Sequence, residues 1–237
     1  YHRLICISDA TAFNLEKWIG NKICDNKIRI IHNGTDLSKF RHIKPSNQTS
    51  LFGRSGIPIL MISRFTASKD HATVIKALSL IKNSDVFVAF AGDGGTLSEM
   101  KALTNEYKLS DRVLFLGNRE DIPQLIKASY LGIQSSRWEG FGLTVVEMMA
   151  GKIPVIVSDI EGLREISAGA TLTFNPGDHK TLARLIDALL KDPLKYKEIA
   201  NRCAERAKAF SITDTVARHI ELYNDLMTQF YGSKELG

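Results

Sequence analysis

The run SRWEGFGLTVVEMMAGKIPVIVSD, residues 136–159, decides the fold. An aromatic turn between two glycines, Gly140-Phe141-Gly142, opens a helix from about Gly142. After Gly151 the apolar, β-branched run at 153–158 reads as a buried strand. A strand with no polar alternation needs cover on both faces, which is the condition of a parallel sheet. Glu139 and Glu147 stand at the two ends of the turn, one before the helix and one about a turn into it.

The same alternation runs outward in both directions. Apolar runs at 59–63, 86–92, 112–117, 130–136 and 170–174 are separated by segments with helical spacing, from about Asp70, from about Thr96, and at 121–128. Residues 178–231 read as helical. The pattern predicts an α/β protein with a doubly wound, Rossmann-like parallel sheet. Upstream, 4–8, a helix beginning at Asp9, and a strand stopped by Asn33-Gly34 make one more βαβ-like unit. Between them, from Thr35 to Pro58, polar Pro/Ser/Asn/Gly-containing sequence predicts a linker or long loop, with a domain boundary inside it.

With 237 residues, 44% hydrophobic and 24% charged, the chain can bury a full core, which excludes a disordered class. No apolar stretch is long enough for a membrane span, and the first residues, which open on Tyr1 and not on methionine, lack a signal-peptide layout, so a cytoplasmic setting is expected. Cys6, Cys24 and Cys203 are odd in number and far apart, which suggests neither a disulfide framework nor a thiolate metal site. The six histidines have no metal-ligand spacing. A net charge of +5 suits an anionic ligand, but the basic residues are scattered and form no stripe for nucleic acid.

In doubly wound sheets ligands gather where strands end and helices begin. The loop after the first strand of the large sheet, SRFTASKDH (63–71), sets Arg64 and Lys69 beside a helix start, a pair suited to phosphate. Gly92 in AGDGG (91–95) lets backbone pass close to a ligand, and Asp93 could cap the next helix. The first amides of the helix at Gly142, Leu143 and Thr144 point toward an anion. Glu147 lies about 6 to 8 Å further along that helix axis. Two carboxylates bracketing a phosphate-binding helix end serve as acceptors for hydroxyl groups, as at the two ends of a nucleotide sugar.

EGFGLTVVE, with seven residues between Glu139 and Glu147, followed by MMAGKIPVIVSDIEGLREI, resembles the signature of the family four retaining glycosyltransferases, which have the GT-B fold. HNGTD (32–36), SRFTASKDH, AGDGG, VLFLGNREDIPQLI (113–126) and FNPGD (174–178) follow in the family's order, so the resemblance covers about residues 3–230. It implies that Arg64 and Lys69 hold the donor diphosphate and stabilise the departing nucleoside diphosphate. It further implies that Glu139 contacts the donor sugar, that amides after Phe141 contact sugar and phosphate, that Glu147 binds the ribose hydroxyls, and that Asn118 and Arg119 neighbour the base. Catalytic roles would fall to Glu139, Arg64 and Lys69, with no cofactor and no metal. The implied partners are a nucleotide-sugar donor, an acceptor glycan or lipid-linked saccharide, and an N-terminal domain, with peripheral association at the inner face of a membrane.

The resemblance also implies a domain plan. Residues 1–34 would be the last strand-helix unit of an N-terminal GT-B domain, 35–58 the linker, 59–210 the nucleotide-sugar-binding C-terminal half, and 211–237 a helix crossing back. On this plan the chain is a C-terminal fragment that binds donor without transferring its sugar. The apolar stripe Val216, Ile220, Tyr223, Leu226, Met227 and Phe230 on the last helix would then lack part of its cover. Gly95 stands where the family commonly has proline. A nucleotide-sugar epimerase of the same fold and a non-catalytic nucleotide-binding module are the alternatives.

Overall fold

The structure is a computed structural model that describes residues 3–19, 27–40, 43 and 48–232. Its centre is a six-stranded parallel sheet of β3 (Ile57–Ile62), β4 (Val86–Ala91), β5 (Val113–Phe115), β6 (Leu131–Gln134), β7 (Val155–Ser158) and β8 (Leu172–Phe174), in the order β5-β4-β3-β6-β7-β8. The middle strands are buried along nearly their whole length, which accounts for their unbroken apolar sequence. From β3 the chain steps outward through α3 (His71–Leu80) to β4 and through α4 (Leu97–Glu106) to β5. It then returns through α5 (Ile122–Ala128) to β6 and steps the other way through α6 (Leu143–Ala150) and α7 (Glu161–Ser167). Right-handed crossovers in opposite directions place the two helix groups on opposite faces. Later in the chain, α8 (His179–Lys191) joins α3, and α9 (Pro193–Ala207) joins α6.

Direction reverses between β3 and β6, which pair through Ile59 with Leu131 and Leu60 with Gly132. The loops leaving these neighbouring strands therefore meet. Ser135 Oγ donates to the Asp70 carbonyl at 2.9 Å, and the Arg137 amide donates to the Ser68 carbonyl at 2.8 Å.

A second, two-stranded parallel sheet holds β1 (Leu4–Cys6) and β2 (Ile28–Ile30), connected through α1 (Asp9–Ile19). Several contacts among the described residues dock it on the large domain. Buried Ser8 donates through Oγ to the Gly140 carbonyl at 2.9 Å. Glu165 on α7 accepts from the Asp9 amide at 2.8 Å and the Ala10 amide at 3.2 Å, and also bonds His32 Nε2 at 2.9 Å. Thr35 forms a parallel bridge with Ser211.

Two expectations need correction. Residues 35–58, expected as a linker or loop, carry a 3-10 turn at Leu37–Phe40, α2 at Gln48–Phe52 and the start of β3 at Ile57. Phe40 and Phe52 are buried, the latter edge-on to Phe87 at 5.7 Å. Single apolar residues in polar sequence carry no period, so their anchoring role was not visible there. The second correction is α7, which spans seven residues, under two turns, and was not anticipated. As expected for a stripe short of cover, α10 (Ile212–Gly232) lies against the small sheet through other residues. Thr215 Oγ1 donates to the His32 carbonyl at 3.0 Å and Leu222 is buried, whereas Val216, Ile220, Tyr223, Met227 and Phe230 are each about half exposed. Cys6 and Cys203 are buried free thiols, and Cys24 lies outside the described residues. Burial pushes the Cys203 thiol up to about 11.

The loop after β3 is fixed from beneath. Phe65 is fully buried and stacks on the His71 ring at 4.0 Å. Its amide donates to the Asp93 carbonyl at 2.9 Å, and its own carbonyl accepts from Thr96 at 3.1 Å. Gly92, at φ 139°, lies so close to Ser63 that a Cβ there would collide with the Ser63 carbonyl. The close approach that Gly92 permits here is to the chain's own backbone. Gly92→Ala combines that collision with a disfavoured φ and is expected to destabilise the fold by about 3 kcal/mol or more, read as a shift in urea midpoint.

His71 bonds Ser63 Oγ at 3.0 Å while its Nδ1 has no partner, and burial followed by the Lys69 charge depresses its pKa to about 4. The unfolded imidazole takes a proton near pH 6.5 and the folded one does not, so stability is complete above about pH 6.5 and falls as the pH drops toward 4. The loss should be on the order of 3 kcal/mol. Urea titrations at pH 7 and pH 4.5 should show it in the parent chain and a smaller pH dependence in His71→Gln.

Candidate active site

Lys69 ends a 3-10 turn at Ala67–Lys69, and the next residue, Asp70, takes a left-handed conformation at φ 46° before α3 begins. That conformation is costly for a residue with a side chain, and here contacts hold it. The buried Asp70 carboxylate accepts from Thr73 Oγ1 at 2.9 Å and pairs with Arg137 Nε at 3.4 Å. The kink turns Lys69 toward β6, where its ammonium is bonded to Glu139 Oε2. Gln134, buried at the end of β6, donates through Nε2 to Ser136 Oγ at 2.9 Å and more weakly to Glu139 Oε2 at 3.4 Å. Ser136 Oγ also reaches Glu139 at 3.4 Å, and Thr144 Oγ1 donates to Gln134 Oε1 at 3.4 Å. A single carboxylate oxygen of Glu139 thus gathers an ammonium, an amide and a hydroxyl.

The turn after Glu139 is anchored by its aromatic ring. Phe141 is buried beside His32 at 5.9 Å and Phe210 at 5.7 Å, so it offers a ligand its backbone alone. Gly142 caps α6 at φ 93° with no side chain to satisfy the helix amides, and helical bonding starts with Val145 donating to Gly142 at 2.9 Å. The amides of Leu143 and Thr144 are left to an outside acceptor. Such an end attracts anions through both its donors and its partial positive charge.

Glu147 faces different neighbours from Glu139. It accepts from Thr35 Oγ1 at 3.5 Å, at the boundary between the small unit and the large domain. Burial pushes its carboxyl above the ordinary range, while the Thr35 hydroxyl and the Lys39 charge act the other way. The two glutamates therefore have different surroundings, Glu139 in the loop before α6 and Glu147 within the helix.

Arg64, by contrast, is exposed and forms no ion pair among the described residues. The loops after β3, β4 and β5 are tied side by side, with the Gly92 amide donating to the Gly117 carbonyl at 2.8 Å. Asn118 is exposed beyond Gly117. Arg119 is engaged bidentately by Asp121, at 2.7 and 2.5 Å, which holds the Asp121 carboxyl below its usual range. The structure thus brings Lys69, Glu139 and the α6 amides together, puts Glu147 one turn further, and leaves Asn118 and Arg119 on the adjoining loop.

Gln134, Ser136, Asp70, Ser8 and Glu165 were not anticipated. One signal was available, since Gln134 interrupts an otherwise apolar strand. Asp9, His32 and Glu165 bring ligand-type atoms within 4.8 Å of one another, but both Glu165 oxygens already accept α1 amides, so the cluster reads as a clasp between units. No helix among the described residues is long and apolar enough to cross a membrane.

The chain is similar to proteins that share this architecture. It is 28% identical over 217 residues to the UDP-Gal:alpha-D-GlcNAc-diphosphoundecaprenol alpha-1,3-galactosyltransferase of Escherichia coli, covering 85% of this chain and 55% of that protein. It is 33% identical over 135 residues to the lipopolysaccharide core biosynthesis mannosyltransferase LpsB of Rhizobium meliloti, covering 55% and 38%. Among solved structures, Alr3699/HepE of Anabaena in complex with UDP-glucose superposes with a TM-score of 0.86 over 94% of this chain and 64% of that one, at 24% identity, a likeness of fold. The chain spans about half the length of the curated relatives it matches. The sequence profile described as Glycosyl transferases group 1 matches residues 48–210, which contain the six-stranded sheet, both glutamates and the paired Lys69; the chain belongs to that family.

Proposed function

We propose that the chain binds a nucleotide-diphosphate sugar and that the complete protein transfers the sugar, with retention of configuration, to a hydroxyl of a glycan or lipid-linked saccharide. The observation that carries this is the Lys69–Glu139 pair set beside the open amides of α6, within a domain of the glycosyl transferase group 1 family. As the bond from the anomeric carbon to the phosphate oxygen breaks, its electron pair stays with the diphosphate. Lys69, held by Glu139, and the open α6 amides would stabilise the growing charge with little reorganisation, and exposed Arg64 would join them. Arg64 and Lys69 are assigned to the diphosphate, Glu139 to the transferred sugar, and Glu147, with the Thr35 region beside it, to the ribose. The Asn118–Arg119 loop is assigned to the base. With two cations and a helix end supplying the charge, nucleotide binding is proposed to be independent of a metal.

Residues 1–34 are assigned to an N-terminal domain of the complete protein. Ser8 and α1, which dock on Gly140 and α7, are assigned to one wall of the cleft in which transfer would occur.

Arg64→Ala or Lys69→Ala should weaken a nucleoside diphosphate by roughly 1.5–3 kcal/mol each and leave the free nucleoside little changed. Calorimetry with and without EDTA tests this together with metal independence. Equal losses for both ligands would refute the phosphate assignment.

Glu147→Gln should weaken the nucleoside diphosphate and the nucleotide sugar alike, because ribose is common to both. Glu139→Gln should weaken mainly the sugar-bearing ligand. A reversed pattern in the same titrations would show the two roles exchanged.

A further inference from the structure

Between α1 and α7 lies a groove of about 370 Å³, lined by Asp9, Ala10, Phe13, Glu161, Arg164 and Glu165. We propose that it is a subsite for a sugar ring of the acceptor; this rests on the donor reading above. The position is the first argument. Both helices start at the C-terminal ends of parallel strands, β1 and β7, so the groove opens where the ligand-binding edges of the two sheets face each other. The same helices close on the backbone of the proposed donor-sugar loop. Ser8 at the head of α1 bonds the Gly140 carbonyl, and Gly162 on α7 lies so close to Glu139 that a Cβ would collide with the Glu139 carbonyl. The groove therefore borders the backbone of the loop that carries Glu139.

The lining supplies the second argument. A pyranose presents hydroxyls around its rim and C–H groups on its faces, so it is recognised by an aromatic face combined with carboxylates and a guanidinium. Phe13 is 58% exposed in the groove. The Asp9 and Glu161 carboxylates have no hydrogen-bond partner among the described residues, and either can accept from a hydroxyl. Arg164 is held by Asp159 through Nε at 2.8 Å, with its side chain 59% exposed and donors to spare. Glu165, whose oxygens hold the α1 amides and His32, is the structural member of the set. A volume of about 370 Å³ falls at the small end of ligand sites and fits one ring with its bound water.

The test is saturation-transfer NMR on the whole chain with four probes: methyl α-glucoside, methyl α-galactoside, methyl α-mannoside and methyl N-acetyl-α-glucosaminide. Phe13→Ala and Glu161→Gln are compared with the parent after circular dichroism confirms folding. Transfer to at least one glycoside should fall at least about fivefold in Phe13→Ala and measurably in Glu161→Gln, with nucleoside diphosphate affinity by calorimetry unchanged. Glycoside signals that are absent, or equal in all three proteins, overturn the subsite even if the nucleotide binds. Glycoside binding that depends on Phe13 in a chain that binds no nucleotide overturns the donor reading and, with it, the acceptor role of the groove.

Discussion

The pairing of β3 with β6 is the constraint on which the site depends. These strands are neighbours in the sheet and some 70 residues apart in the chain, and the stepping of the sheet reverses between them. Because every strand is parallel, their ends lie on the same edge, and two loops with no local relation are forced together. The Lys69–Glu139 pair is the chemical expression of that geometry. A one-residue slip in this register would turn the strands' side chains to the opposite faces and separate the pair. The buried hydroxyl of Ser135, bonded to the Lys69 and Asp70 carbonyls at 3.2 and 2.9 Å, holds the loops in register from below.

Much of this was legible in the amino-acid order. The runs at 59–63 and 86–92 read as buried strands because they are almost wholly apolar, and Gly142 marks the α6 start. Glu139, Glu147, Lys69 and Arg64 are found on the loops and helix end where their spacing puts them. What remained hidden belongs to the third dimension. Nothing local to Lys69 indicates that its ammonium meets Glu139, and nothing local to Gln134 indicates that its amide organises Ser136, Glu139 and Thr144. Phe40 and Phe52 looked like stray apolar residues in polar sequence, yet each fills a gap in the core. Helix α7 is too short to show a period, although it provides one wall of the groove and the carboxylate that holds α1.

Two kinds of polar residue are buried around the site, and they differ in consequence. Asp70 and Gln134 have several partners each and fix a conformation. Burial depresses the His71 pKa and raises that of the Glu147 carboxyl, in each case because the charged form loses its water.

The triple engagement of Glu165 has a mechanical meaning. A carboxylate holding two amides and an imidazole forms three charge-assisted contacts between the small unit and the large domain. Each is worth about 1.5–3 kcal/mol in favourable surroundings and less where water reaches it. Parting the small unit, which carries both α1 and His32, from α7 would release all three together, because they end on one side chain. The joint therefore behaves as a snap rather than a spring. A molecule that slips between the helices leaves it shut, whereas one bulky enough to wedge them apart must first supply the free energy of the whole clasp, and size alone becomes a filter on what can enter.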